Sequence, residues 1–220
     1  MIHPIKNLFI KILIATVLFS SLYAFAQEIG EYEDFKPGDV LTYSTKAEGK
    51  AGEYIFSFTE VQDGAVKGVT TFMGKKMQFE SPAHGYLGKE FCLAEVAECQ
   101  WTPPAKLFDK NDKLNDKSKM FTRVDIKGTD TAYAEEELSN TVEKIEKIKV
   151  PAGEFNAFKV KTTGTIKAVL KNGKTYPGTL NMTTWYGVVN QRMVMIKREY
   201  TNSFKGDFMQ ELSKIPEIAK

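Results

Sequence analysis

Histidine and cysteine are almost absent from this chain, which narrows the chemistry that it can perform. Two residues of each type occur among 220. His3 lies in a stretch typical of export leaders, so the sequence after that stretch contains one histidine, His84. A Ser-His-Asp or Cys-His mechanism would have to use His84, since each needs an imidazole to accept the proton of the nucleophile. His84 lies in a Ser-Pro-Ala-His-Gly segment typical of a loop, so we predict no catalytic residue and no enzymatic activity.

An excess of charge of either sign is also lacking beyond the first 26 residues. The chain has 30 Lys and Arg against 28 Asp and Glu, and Lys6 and Lys11 account for the surplus of two. Residues 27–220 are therefore neutral overall. This balance argues against nucleic acid as a partner, which would favour a clustered basic face. It argues equally against electrostatic docking on anionic lipid.

No apolar run reaches the length of a membrane span. The run over residues 12–22 follows Lys11 and ends at Ala24-Phe25-Ala26, whereas a transmembrane helix needs about 20 apolar residues. A basic start, a short apolar core and small residues at A-x-A are typical of a secretory signal peptide. We predict a leader over residues 1–26 with cleavage near Ala26-Gln27. Because no cysteine follows the run, we expect no lipid anchor and a soluble periplasmic or secreted protein.

The two cysteines, Cys92 and Cys99, favour a disulfide, because exported proteins fold in oxidising surroundings. Two free thiols are the alternative. A disulfide over so short a loop would contribute about 2.5 kcal/mol, so it would fasten one turn and not hold the fold together. The six intervening residues fit no zinc knuckle. We therefore predict neither a metal site nor a cofactor.

Most of the chain after the leader alternates with a period of two and is rich in Thr, Val, Ile, Phe and Tyr, which indicates β-strands. Asp63-Gly64 predicts a tight hairpin, and Asn172-Gly173 predicts a two-residue type I′ turn. The predicted strands cover residues 40–45, 53–61, 65–72, 77–80, 86–92, 120–127, 131–138, 142–150, 154–170, 174–186 and 192–204.

About ten short strands with hairpin connections predict an all-β fold with little helix: an antiparallel sheet that curls into a half-barrel, a barrel or a sandwich to hide its edges. We expect one domain over residues 27–204. The polar segment 102–119 is expected to be a loop. In the tail, residues 205–220, apolar residues three to four apart favour a short helix.

Two acidic motifs are poor matches to known functional sites. The Asp-rich run that starts at Asp109 has Leu114 where a calcium-binding EF-hand loop requires glycine. Glu135 and Glu137 share one face of a predicted strand, too close together for the paired carboxylates of a glycosidase. Neither motif predicts an activity.

Aromatic and methionine residues give a less specific signal. If they are close-packed they form the core, and if the sheet opens, part of the set lines a groove for an acyl chain or another apolar ligand. We name Phe56, Met182 and Trp185 as candidate ligand-binding residues. The full set is Tyr54, Phe56, Phe58, Phe72, Phe79, Tyr176, Leu180, Met182, Trp185, Met193 and Met195.

Three segments together carry a family resemblance. Residues 35–43 read Phe-Lys-Pro-Gly-Asp-Val-Leu-Thr-Tyr, residues 150–160 read Val-Pro-Ala-Gly-Glu-Phe-Asn-Ala-Phe-Lys-Val, and Trp185-Tyr186 precede a last strand. They resemble an exported bacterial family known only as a domain of unknown function, number 3108. Residues 187–192 depart from the Gly-Leu-Val pattern that follows Trp-Tyr in that family. The resemblance implies a curled antiparallel sheet similar to the envelope half-barrels that carry lipoproteins, and no catalytic residues.

These observations lead to one expected role and one alternative. We expect an exported protein of the cell envelope that binds an apolar or envelope-derived ligand, such as a lipid, in a concave β-sheet. The alternative is a structural or interaction module with a filled core, which binds an envelope protein and no small ligand.

Overall fold

The structure is a computed structural model that describes residue 29 and residues 31–47, 50–83, 85–92, 97–204 and 206–219, with Lys50 and Cys92 described by their backbone alone. The predicted leader and His84 lie outside these residues, so the predictions on them stay predictions. The unit that contains the sheet spans Tyr32–Lys220.

Twelve β-strands and no helix occur in the part of the chain that the structure describes. In chain order they are β1 Val40–Ala47, β2 Lys50–Gln62, β3 Ala65–Phe72, β4 Lys75–Ser81, β5 Tyr86–Cys92, β6 Ala97–Lys106, β7 Lys117–Lys127, β8 Thr131–Val150, β9 Gly153–Leu170, β10 Thr175–Val189, β11 Arg192–Asn202 and β12 Gly206–Leu212.

The strands form one closed antiparallel barrel, in which each strand pairs with its neighbours in sequence and β1 also pairs with β12. Closure satisfies the hydrogen-bonding groups that an open sheet would leave along its edges. The predicted all-β fold with an antiparallel sheet is confirmed, and of the arrangements considered the structure has the barrel.

The prediction of a short helix in the tail is wrong. Residues 206–212 form β12, and Phe208, Gln210 and Leu212 are buried in alternation. Leu212 pairs with Tyr43 of β1, and Phe208 pairs with Tyr200 of β11. The apolar residues of the tail fit both helical and strand spacing, and the two sheet edges that need hydrogen-bond partners favour the strand.

Two further predictions on strand limits are wrong. Residues 131–138 and 142–150 belong to one strand, β8, because Ser139 and Asn140 pair with β7 instead of turning. The loop predicted over residues 102–119 is limited to residues 107–116. β6 continues through Pro103 and Pro104, which pair with neither neighbouring strand, so their missing N–H groups interrupt no ladder.

The backbone φ angles confirm one of the two predicted hairpin turns and contradict the other. Asp63 and Gly64 both have positive φ, 51° and 82°, as a type I′ turn requires, and this turn is confirmed. At Asn172-Gly173 the positive φ belongs to Gly173 alone, at 83°. The link between β9 and β10 there spans residues 171–174, so the two-residue turn is wrong.

A β-bulge changes which side chains of β11 point inward. Trp185 pairs with Lys197 and Tyr186 pairs with Met195, which leaves Ile196 as the extra residue. Met195 and Arg198 consequently both face the lumen, although their separation of three residues would put them on opposite faces of a regular strand. Tyr200 faces the lumen together with Arg198, because the two residues are two apart beyond the bulge.

Segments that flank the strands cover the end of the barrel at which β1 and β11 begin. Phe35 stacks on Phe58 at 4.3 Å between ring centroids, and Val40 exchanges two backbone hydrogen bonds with Glu217. Inside the same end, Phe108 of the loop 107–116 stacks on Tyr186 at 4.7 Å. These packed rings and segments fill that end of the lumen.

Candidate ligand site

A chamber of about 330 Å³ lies in the lumen towards the opposite end, near the turns that join β7 to β8, β9 to β10 and β11 to β12. Much of its wall is apolar. Its lining residues are Leu87, Glu90, Phe91, Cys99, Trp101, Val124, Ile126, Thr131, Ala134, Glu136, Leu138, Ile166, Ala168, Leu170, Tyr176, Leu180, Met182, Arg198, Tyr200, Asn202 and Phe204.

We call this 330 Å³ cavity the outer chamber. One of its walls is a buried hydrophobic cluster contributed by β6, β7, β8 and β9. Trp101, Ile126 and Leu180 pack against it and extend it towards the chamber. Alternation along each strand turns these side chains inward while charged residues face solvent. A concave apolar wall of this kind is typical of small-molecule sites. The cluster consists of Cys99, Val124, Ala134 and Ile166.

Two aromatic side chains stand at the mouth of the outer chamber. Tyr176 is 45% exposed and Phe204 is 40% exposed, although both line the chamber. A Cβ added to Gly178 would lie 2.4 Å from the Phe204 ring. The glycine therefore lets this ring lie close against the backbone of β10.

A second, inner chamber of about 80 Å³ lies deeper in the lumen and has a largely aromatic wall. Phe56 packs edge-on against Tyr54 and Phe79, with ring centroids at 4.6 and 5.3 Å. Glu90 and Arg198 line both chambers. The two chambers therefore meet at a carboxyl group and a guanidinium.

Glu90 and Arg198 are enclosed by the barrel wall and present their polar atoms to the lumen. Burial raises the pKa of Glu90, and the positive charge of Arg198 only partly opposes this shift. Burial disfavours the charged form of Arg198, but Tyr186 and Glu90 outweigh it and raise the pKa of the guanidinium. Arg198 is thus a permanent cation inside the barrel, beside a carboxyl group that tends to keep its proton.

A layer of buried polar groups surrounds Arg198. Thr184 of β10 and Gln210 of β12 both pair with Arg198 in register. Both amide atoms of Gln210, the Thr184 hydroxyl and the Arg198 Nε have no hydrogen-bond partner among the described residues. A buried polar group left without a partner costs about 1–3 kcal/mol. Native chains rarely tolerate several of them together.

A second carboxyl group, Glu136, faces the outer chamber from β8. Burial raises its pKa to about 7, although a hydrogen bond donated by Trp101 Nε1 to Oε2, at 3.3 Å, opposes the rise. The outer chamber thus contains an acid that changes protonation near neutral pH.

The three candidate ligand-binding residues are not brought together. Phe56 lines the inner chamber and Met182 lines the outer chamber. Trp185 lines neither: its indole N–H donates to Glu146 Oε1 at 2.9 Å, and the Lys197 ammonium lies 5.9 Å from its ring. Because Met182 points inward, alternation turns Trp185 to the outer face of the barrel.

The two acidic motifs of the sequence, at Glu135 and in the loop that starts at Asp109, form hydrogen bonds and ion pairs with neighbouring lysines. Glu135 accepts a hydrogen bond from Lys167 at 3.1 Å on the outer face. Asp112 of the acidic loop forms an ion pair with Lys106 at 2.7 Å. Within the described ranges, no group of His, Cys, Asp and Glu is arranged to hold a metal ion.

The register of β5 and β6 places Cys92 opposite Ala97, two residues from the buried Cys99. The side chain of Cys92 lies outside the described part, so the disulfide stays a prediction. No helix in the described segments is long and apolar enough to cross a membrane.

Sequence reasoning missed Glu90, Glu136, Arg198 and Gln210. Glu136 carried a usable signal, because it lies between Ala134 and Leu138 on the same face of a strand. Arg198 carried none, because the bulge at Ile196 reverses the alternation that would have been used to place it.

Comparisons with known proteins bear on the fold. No family model matches the chain, and no curated protein does. A protein of Bacteroides fragilis described as exported and of YmcC-like fold aligns with a TM-score of 0.55 and 17% identity, covering 86% of this chain and 99% of its own. A protein of Parabacteroides distasonis described as a lipoprotein aligns with a TM-score of 0.50 and 14% identity, over 86% and 99% of the two chains.

A third structure, the hypothetical lipoprotein YmcC of Escherichia coli, aligns with a TM-score of 0.45 and 10% identity over 81% of this chain and 85% of its own. The conclusion on the fold rests on the first two structures. At these identities the likeness concerns the fold alone. The chain therefore shares the architecture of these proteins, which in the Bacteroides fragilis protein is called the YmcC-like fold.

Proposed function

We propose that this chain is a binding protein that carries an elongated apolar molecule in the lumen of its barrel. The observation that supports this role is the outer chamber of about 330 Å³, which has apolar walls and an aromatic mouth in a barrel filled at its other end. Small-molecule sites occupy roughly 300–1,000 Å³. The chamber volume lies at the low end of that range, so a single acyl chain suits it better than a lipid with several chains.

We further propose that the protein works outside the cytoplasm, in the periplasm or after secretion. The leader-like residues 1–26 support this location, as do structural neighbours described as exported proteins or lipoproteins. The three motifs over residues 35–43, 150–160 and 185–186 support membership of the exported family number 3108.

A binding role is proposed in place of catalysis, because the chain has few side chains of the types that act in catalysis.

The alternative role, an interaction module with no small ligand, requires a filled lumen. The outer chamber counts against that alternative, although an envelope protein remains a candidate for receiving or delivering the ligand.

The proposal is tested with N-phenyl-1-naphthylamine, an uncharged probe whose fluorescence rises in apolar surroundings. We expect saturable binding of one probe per chain. Ala168→Trp adds bulk inside the outer chamber and should weaken probe binding by at least about tenfold, which corresponds to about 1.4 kcal/mol. Thr165→Trp adds the same bulk three residues away, at an exposed position of the same strand, and should leave binding unchanged.

Lipid extraction of the native protein, followed by mass spectrometry, provides a second measurement. A stoichiometric apolar compound that is present in the wild-type extract and depleted in the Ala168→Trp extract would support the proposal. Absence of probe binding to the wild-type protein, or equal binding by both tryptophan variants, would refute it.

A further inference from the structure

We propose that the polar layer between the two chambers binds the carboxylate of the ligand, so that the ligand is a long-chain carboxylic acid held head-first in the barrel. The inference rests on the proposed function, because it assumes that the outer chamber holds the apolar chain. It adds the chemical class of the head group, its position and its direction of entry.

The first supporting observation is the set of polar atoms that the barrel leaves without partners. Gln210 is 1% exposed and lines the inner chamber, yet neither atom of its amide has a hydrogen-bond partner in the described part of the chain. Arg198 pairs with Gln210 in register, and its Nε likewise has no hydrogen-bond partner in the described part of the chain. Buried polar groups normally find partners, so a layer built this way fits a ligand that supplies them.

The second observation is the chemistry of the donors. A guanidinium presents its N–H groups in a planar fork that matches the two oxygens of a carboxylate. The Gln210 amide adds a further N–H donor beside the fork. Tyr54 and Tyr186 carry hydroxyl groups into the same inner chamber. These donors surround a volume of about 80 Å³, which suits a carboxylate better than a bulkier phosphodiester.

The third observation is continuity. Arg198 lines the apolar outer chamber as well as the inner one. A carboxylate at the guanidinium therefore leaves its hydrocarbon chain pointing along the apolar wall towards Tyr176 and Phe204 at the mouth. Glu90 faces the same junction from β5 and in its protonated form can donate a hydrogen bond to the bound acid.

The experiment compares two competitors of equal chain length, palmitate and its alcohol hexadecanol, in displacing N-phenyl-1-naphthylamine from the full chain. We expect palmitate to bind the wild-type protein at least about tenfold more tightly than hexadecanol, since hydrogen bonds to charged groups are the stronger ones. Arg198→Met should remove that preference, so that palmitate and hexadecanol displace the probe from this variant with nearly equal affinity. Gln210→Leu should reduce the preference in part.

Lys197→Met is the matched control, because Lys197 is adjacent in sequence but forms ion pairs with Glu199 and Glu211 at 2.8 and 2.9 Å. It should retain the preference for palmitate. Circular dichroism and thermal melting check that each variant folds, and Gln210→Leu carries the test if Arg198→Met does not fold.

Equal displacement by palmitate and hexadecanol in the wild-type protein would overturn the inference and leave the proposed function standing. Such a result would mean that water satisfies the polar layer. An unchanged preference in a folded Arg198→Met variant would overturn the inference as well. Failure of the wild-type protein to bind the probe at all would refute the proposed function itself.

Discussion

Arg198 and Glu90 face each other across the barrel lumen from strands on opposite sides of the wall. Five strands separate β11 from β5 in either direction around the barrel, and both residues line the outer and the inner chamber. The guanidinium and the carboxyl group therefore mark the junction of the apolar chamber with the polar one. We expect charge at this junction to control which head group a ligand in the lumen can carry.

Glu90→Gln should strengthen the binding of palmitate several-fold. Burial favours the protonated form of Glu90, but Arg198 favours the ionised form, which competes with the ligand carboxylate for the guanidinium. The glutamine amide removes this competition and still offers an N–H donor to the bound acid, at little change in shape. Hexadecanol lacks the charge, so its affinity should stay the same. Competition against the fluorescent probe measures both affinities. Weaker palmitate binding in the variant would show that Glu90 contributes a necessary contact instead of a competing charge.

Glu136→Gln should make the protein more stable above neutral pH. The pKa of Glu136 is raised to about 7 by burial, so the folded state holds a proton that the unfolded state has released. Wild-type stability therefore falls as pH rises between the unfolded pKa and about 7, by up to about 3 kcal/mol. The glutamine variant lacks this loss, so the difference in free energy of unfolding should grow from about pH 5 to about pH 8.

Urea denaturation at the two pH values measures that difference. Glu135→Gln is the matched control, because Glu135 forms its ion pair with Lys167 on the outer face. It should not reproduce the growth with pH. A constant difference between Glu136→Gln and wild type across this range would contradict the role of burial at Glu136.

Arg192→Met should lower the free energy of unfolding by about 3–5 kcal/mol, because it leaves a buried carboxylate without its cation. Arg192 is 1% exposed and Asp39 is fully buried. Arg192 Nε donates to Asp39 Oδ2 at 2.8 Å, and this carboxylate also accepts the backbone N–H groups of Lys36 and Ala219. The ion pair thus holds the segment before β1, which contains Lys36, and the segment after β12, which contains Ala219, against the filled end of the barrel.

Lys67→Met tests an exposed ion pair for comparison, since Lys67 contacts Glu60 at 3.3 Å on the outer surface. Its cost should stay below about 1 kcal/mol. Equal urea midpoints for the two variants would exclude a special role of the buried pair.

Phe204→Ala should speed the release of a bound probe from the lumen. The ring stands at the mouth of the outer chamber and is partly exposed, so its removal widens the exit. Stopped-flow dilution of the protein–probe complex measures the release rate. Phe121→Ala removes an exposed ring from the outer side of β7, away from the chamber, and should leave the rate unchanged. An unaltered rate in Phe204→Ala would place the exit elsewhere.

Local patterns predicted much of the sheet. Alternation correctly predicted a strand over residues 53–61, which lies within β2, and Asp63-Gly64 correctly predicted a tight hairpin between β2 and β3. These features depend on neighbours within a few residues, so they can be read locally. The tail was misassigned because its apolar residues suit two periods, and the choice between them depends on β1 and β11.

The candidate site could be predicted only in part, for a related reason. Met182 was correctly included among residues of the lumen, whereas Trp185 faces outward and Arg198 was overlooked. A single extra residue, Ile196, turns Arg198 inward, and alternation gives no warning of a bulge. Glu90 meets Arg198 only through closure of the barrel, which joins positions more than a hundred residues apart.

The sequence by itself determined that this chain forms an antiparallel β-sheet, that residues 27–220 have no net charge and that residues 1–26 resemble an export leader. These properties follow from composition and from the two-residue period of a strand, which requires no knowledge of distant partners. Tertiary structure alone decided that the sheet closes through β1 and β12 and that a cation lies inside it. Closure depends on which edges remain unpaired once all strands are formed, and burial of Arg198 depends on the registers of the strands around it.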